Sequence, residues 1–102
     1  MPVTGSMHHE PTSHRYVWLL DDEVVGVIDY REQADQIEMH HTYTTPAYRG
    51  RGIAAELVGA ALDDVRARGL RVVPTCWYVA EHIDAHPEHQ DLLAGRSAER
   101  RG

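Results

Sequence analysis

A change of hydrophobic period on either side of one short turn does most to limit what this chain can fold into. Residues 36–44 alternate, with Ile37, Met39, His41 and Tyr43 set against Glu38, His40 and Thr42, which is the two-residue period of a half-buried strand. From Ile53 the apolar positions recur instead at Leu57, Ala61, Leu62 and Val65, with Glu56, Asp63, Arg66 and Arg68 between them. That spacing predicts an amphipathic helix, and Gly69 is well placed to end it. Pro46 stops the strand, so Tyr48-Arg49-Gly50-Arg51-Gly52 must join the two elements in a tight turn.

The flanking segments extend the pattern. Residues 70–73 are short and apolar, as expected of a buried strand parallel to the one before the helix. Upstream, residues 15–20 and 23–31 are β-branched and aromatic runs separated by Asp21-Asp22, a hairpin signal. Downstream, residues 77–85 read as a helix that Pro87 breaks. The expected fold class is therefore α/β in the order β-β-β-α-β-α: three antiparallel strands, a helix, a short parallel strand and a C-terminal helix. Residues 14–94 make up the expected domain. Residues 1–13 mix Pro, Gly, Ser, Thr and His without periodicity and are expected as a flexible arm, with residues 95–102 as a flexible tail.

Composition narrows the function. A chain of 102 residues with 42% apolar and 25% charged residues suits one compact domain, large enough to fold without disulfides or metal. Its single cysteine, Cys76, cannot form an internal disulfide, and a reducing cytoplasm is the expected location. No apolar run is long enough to span a bilayer. The formal net charge is −6, with eight of the sixteen acids but two of the ten arginines in residues 1–45. Such an excess argues against nucleic acid as a partner. It suits a plainly solvated surface first, and an amine-bearing substrate second.

The turn itself carries chemistry. A helix N-terminus offers unpaired N–H groups and the positive end of the dipole, a ready site for a pyrophosphate. Gly50 and Gly52 allow close backbone approach, and Arg49 and Arg51 add positive charge. The segment Thr44-Thr45-Pro46-Ala47-Tyr48-Arg49-Gly50-Arg51-Gly52-Ile53-Ala54 resembles motif A of the GNAT acetyltransferase superfamily, whose core [Q/R]-x-x-G-x-[G/A] is here Arg49, Gly52 and Ala54. Val73-Pro74-Thr75-Cys76 is similar to the Val-Pro-x-Cys segment of small stand-alone GNAT-like proteins. The resemblance covers about residues 15–85. It implies acetyl-coenzyme A as co-substrate, held by Thr44, Arg49, Gly50, Arg51, Gly52, Ile53 and Ala54, and an N-acetyltransferase that modifies an amine. Two departures stand out: the pair of helices that usually walls the acceptor groove is missing, and so is the final hairpin.

Acetyl transfer to an amine needs a base for the acceptor and an acid for the leaving thiolate. Glu38 lies eleven residues before Arg49, a spacing that resembles the general-base glutamate of some GNAT enzymes; it also reads as a solvated strand acid. His40 should share the face of Glu38 and suits a base or relay, since an imidazole titrates near 6.5 in the ordinary case. Strict alternation would turn His41 the other way. Tyr78 stands where the resemblance implies a tyrosine that protonates the coenzyme A thiolate, and packing is its plainer role. Cys76 precedes the same helix and is either an acyl carrier or a small buried side chain. His82, His86 and His89 have a spacing that can bind zinc, but without His-Glu-x-x-His or a cysteine pair no metal is expected. A non-catalytic module binding coenzyme A or acyl-coenzyme A, a subunit docking a partner protein, and a homodimer that completes the open groove are the competing arrangements.

Overall fold

The computed structural model describes residues 5–94. These form a five-stranded sheet in the order β1-β2-β3-β4-β5, with β1 Ser6–Glu10, β2 Arg15–Leu20, β3 Glu23–Gln33, β4 Gln36–Thr44 and β5 Arg71–Pro74. Helix α1 spans Ile53–Ala67 and α2 spans Trp77–Ala85, followed by a 3₁₀ turn at Pro87–Leu92. The first three pairings are antiparallel and β4–β5 is parallel. The α/β order read from the sequence is thus the observed one, with an additional strand at its start.

That strand corrects the expectation for the arm. Residues 6–10 pair with β2 along their whole length instead of continuing an unpatterned segment. His9 explains why: its ring stacks on Tyr16 with centroids 4.3 Å apart and its Nε2 meets the Tyr30 hydroxyl. The Tyr16 hydroxyl in turn donates to Asp64 on α1 at 2.7 Å. A polar strand is held by partners distant in sequence, which local periodicity cannot reveal. The expected tail, residues 95–102, lies outside the described residues.

Local chemistry accounts for the connections. Asp21 and Asp22 both adopt positive φ, 50° and 67°, as a two-residue turn matched to strand twist requires. At the end of α1, Leu70 N–H donates to the Val65 carbonyl and Gly69 N–H to that of Arg66, with Gly69 at φ 73°. This is the Schellman arrangement, which satisfies carbonyls the helix leaves open. The core forms where α1 lays Leu57, Val58, Ala61, Leu62 and Val65 against Tyr16, Trp18, Ile28, Tyr30, Ile37 and Met39 of the sheet, with Val79 and Ile83 of α2 joining them. Gly26 permits that contact, because a Cβ there would lie 3.3 Å from both Ile53 Cγ2 and Leu57 Cδ2. No helix among the described residues is long and apolar enough to cross a membrane.

Candidate functional site

The site originates where the parallel ladder ends. β4 and β5 pair from Gln36↔Arg71 to Met39↔Pro74. The Cys76 amide then donates to the Met39 carbonyl at 3.0 Å, and the chain turns into α2. Beyond that bond β4 continues to Thr44 without β5 beside it. The gap is a cleft of about 710 Å³ between the outer half of β4, the N-terminus of α1 and the start of α2.

A bulge shapes its floor. Tyr30 opposes Met39 and Asp29 opposes His41, so β4 carries one residue more than β3 at His40. Ile28 and Tyr30 share a sheet face, so their partners Thr42 and Met39 share it as well. Two histidines therefore occupy the interval normally given to one, and strict alternation fails there. Both His40 and His41 line the cleft. This corrects the expectation that His41 turns away from its neighbour. The adjacent histidines bear no local mark of a bulge, because nothing in their own sequence shows which residues β3 sets opposite them.

At the other wall, Gly50 and Gly52 adopt φ 82° and 79°, and Gly52 is the N-cap of α1 with no side chain capping the first amides. The amide groups of the first turn, which no helix can pair internally, therefore open toward the cleft that Gly50, Gly52, Ile53 and Ala54 line. Gly50 has open space around a built Cβ, with nothing within 4 Å. Arg49 donates from Nε to the Thr44 carbonyl at 2.9 Å and holds its guanidinium 5.6 Å from the Tyr43 ring centroid. Arg51 is turned instead over Tyr48, 5.2 Å from its ring centroid, and is not part of the lining.

Of the candidate catalytic residues, His40, Cys76 and Tyr78 share this cleft. Cys76 Sγ lies 3.6 Å from Thr42 Oγ1. Burial, and secondarily Glu81, raises the Tyr78 phenol above its ordinary value, so it stays protonated at neutral pH. Glu38 is placed elsewhere: it accepts from Thr75 Oγ1 at 2.8 Å and from Arg31 at 3.3 Å in a separate depression with Gln36 and Val73. The Thr75 hydrogen bond, with Arg31 behind it, lowers its pKa, which weakens it as a base. Sequence reasoning overlooked Thr42, Tyr48, Thr75 and Trp77, all of which line the cleft. Thr75 and Trp77 flank Cys76 and could have been found from that adjacency; Thr42 required the bulge.

The histidine group lies apart, between α1, α2 and the 3₁₀ turn. His82 and His86 stack with centroids 4.0 Å apart, and His89 is 5.8 Å from His82. His86 Nδ1 bonds to the His82 carbonyl and His89 Nε2 to Asp63. Among the described residues no three His, Cys, Asp or Glu side chains converge to hold a metal ion.

A family model described as GCN5-related N-acetyl-transferase matches residues 15–92. The chain belongs to this acetyltransferase family. Protein NATD1 of Bos taurus is 45% identical over 56 residues, 55% of this chain and 50% of that protein. Protein NATD1 of Homo sapiens is 43% identical over the same length. The match thus spans about half the length of these relatives. Among solved structures, a GCN5-like protein from Staphylococcus aureus studied by NMR superposes with a TM-score of 0.67 over 86% of each chain at 17% identity. A Bacillus subtilis acetyltransferase in complex with CoA superposes with a TM-score of 0.51 over 59% of this chain and 41% of that one, at 18% identity. Such identities speak for the GCN5-related fold alone.

Proposed function

We propose that this chain binds acetyl-coenzyme A and transfers its acetyl group to an amine of a small molecule or peptide. One observation carries the reading: the uncapped amides of α1, reached across two glycines of positive φ, open on the same cleft as the ends of the splayed strands. A pyrophosphate suits the amide end, where dipole and backbone donors converge. Thr44, Arg49, Gly50, Gly52, Ile53 and Ala54 line that end, and Arg51 adds charge from the rim. The pantetheine arm runs beside β4 in the gap, which brings the thioester to Cys76 and Tyr78. Bound there, the thioester supplies an acyl carbon open to attack and a thiolate leaving group. Tyr78 holds a proton for that thiolate, and the likeness in fold to an acetyltransferase solved with CoA supports coenzyme A as the ligand class.

The test is thiol release from acetyl-coenzyme A in the presence of a panel of primary amines. Amine-dependent release supports the enzyme. Binding of acetyl-coenzyme A without release on any amine favours a ligand-binding module. A partner-docking role has one observation in its favour, the 72% exposure of Trp77 on the rim of the cleft, where a large apolar side chain stands in water.

A further inference from the structure

We propose that His41 is the base that deprotonates the acceptor amine and that Asp29 is the residue that positions it, an inference that rests on the acetyl-transfer reading. Asp29 lies directly opposite His41 across the β3–β4 pair and opposite Arg15 across the β2–β3 pair. Its Oδ2 is 3.1 Å from His41 Nδ1, and its Oδ1 is 3.3 Å from Arg15 Nη2. Each carboxylate oxygen thus has its own donor, and the group cannot rotate away from either without losing one. An ionised carboxylate only accepts hydrogen bonds, so His41 Nδ1 is the donor to Asp29, and in the neutral imidazole this contact leaves the lone pair on Nε2. A base oriented by a third group behind it is the general form of an activated acid–base site.

The bulge makes this dyad useful. It sets His41 in the wall of the cleft that also contains Cys76 and Tyr78, while the side chain remains 57% exposed and open to an incoming acceptor. Glu38 has the opposite arrangement, bound by Thr75 and Arg31 outside the cleft. His41 is flanked by Asp29 on β3, Arg15 beyond it on β2, and His40 and Tyr43 on β4, with the Arg49 guanidinium over the Tyr43 ring. In the reaction, His41 Nε2 takes one proton from the substrate ammonium and passes it to solvent. The freed nitrogen lone pair forms the C–N bond, the C–S bond breaks, and the thiolate takes the Tyr78 proton. The second proton lost from nitrogen returns to the tyrosinate, so one proton is released for each amide formed.

The experiment compares wild type, His41→Gln, Asp29→Asn and Asp29→Glu in the full chain. Thiol release from acetyl-coenzyme A is followed between about pH 6 and about pH 10 with spermidine, phenethylamine and a lysine-containing peptide. His41→Gln is expected to lower kcat/KM by about 10²–10³-fold near neutrality, and the deficit should shrink as pH approaches the amine's own pKa, where no base is needed. Asp29→Asn should cost about tenfold, Asp29→Glu should recover part of it, and the KM for acetyl-coenzyme A should stay unchanged. Imidazole ¹⁵N NMR should show His41 as the Nδ1–H tautomer in the wild type and should report folding in each variant. Wild-type transfer that His41→Gln leaves unchanged at every pH overturns the base assignment while acetyl transfer stands, as does an Nε2–H tautomer. Absence of transfer by the wild type to any of these amines overturns the acetyl-transfer reading and this inference with it.

Discussion

The Cys76 amide donates to the Met39 carbonyl at 3.0 Å, one step after Met39 and Pro74 make the last pair of the parallel ladder. That bond closes the sheet and opens the cleft. It ties the first residues of α2 to the middle of β4, so Cys76 and Tyr78 are positioned by the sheet itself. Residues just beyond a strand's C-terminal end border the ligand crevice in open α/β sheets, and Cys76 and Tyr78 stand in that position beyond β5.

Tyr78 and Cys76 make separable predictions. Tyr78 lines the cleft with Cys76 and a phenol is protonated at neutral pH, so Tyr78→Phe should lower kcat by about 10–10³-fold with little change in acetyl-coenzyme A affinity. Under direct transfer Cys76→Ser is tolerated. If Cys76 carries the acetyl group, Cys76→Ser abolishes turnover, and intact-protein mass spectrometry of wild type incubated with acetyl-coenzyme A shows one labile acetyl adduct. Turnover unaffected by either substitution would remove both residues from the active site.

At the phosphate cradle, Gly52→Asp should abolish most acetyl-coenzyme A binding measured by calorimetry. The substitution adds a side chain at φ 79° and a negative charge at the positive end of the α1 dipole, where the pyrophosphate would lie. Backbone strain alone is controlled by Gly69→Ala, at φ 73° beyond the opposite end of α1, which should lose stability but keep affinity. Equal affinity in wild type and Gly52→Asp contradicts the cradle.

Much of this architecture can be read from local pattern, and the exceptions have a common physical cause. The turn at Asp21-Asp22, β4, α1 and the Gly69 stop each depend on residues within one element, so period and turn chemistry suffice to find them. β1 depends on His9 meeting Tyr16 and Tyr30, contacts that exist only after the sheet forms. The same holds for the bulge: His40 and His41 are set by the register against β3, and Asp29 becomes a site residue only because that register brings it opposite His41. Conversely Glu38, singled out by its distance from Arg49, is held outside the cleft by Thr75 and Arg31. Spacing along a strand indicates the face, but neighbouring strands decide what a side chain does there.

The first strand should contribute to stability. Composition alone would make the residues before Thr12 dispensable, whereas the structure has His9 stacked on Tyr16 and bonded to Tyr30, within 3.7 Å of Asp64. A chain beginning at Thr12 should therefore melt at a lower temperature, by several degrees for a loss of about 1 kcal/mol in a domain of this size. His9→Ala should reproduce part of the loss. An unchanged melting temperature in the truncated chain would mean that β1 adds nothing to the fold.

Acid should destabilise the protein through His82. Its ring is buried at 8% exposure with Nε2 unpaired, beneath α1, stacked on His86 and near His89. Burial first, then the neighbouring histidines, lowers its pKa to about 4, against a weaker opposing effect of Glu88. The folded state therefore keeps His82 neutral where the unfolded chain, titrating near 6.5, takes up a proton. Stability from this group is complete above about pH 6.5 and is lost as pH falls toward about 4, by on the order of 2 kcal/mol. The measurement is the urea midpoint of wild type and His82→Gln between these limits. The wild type should show the steeper decline, since glutamine fills similar volume without titrating, and parallel declines would show that His82 does not set the acid limit.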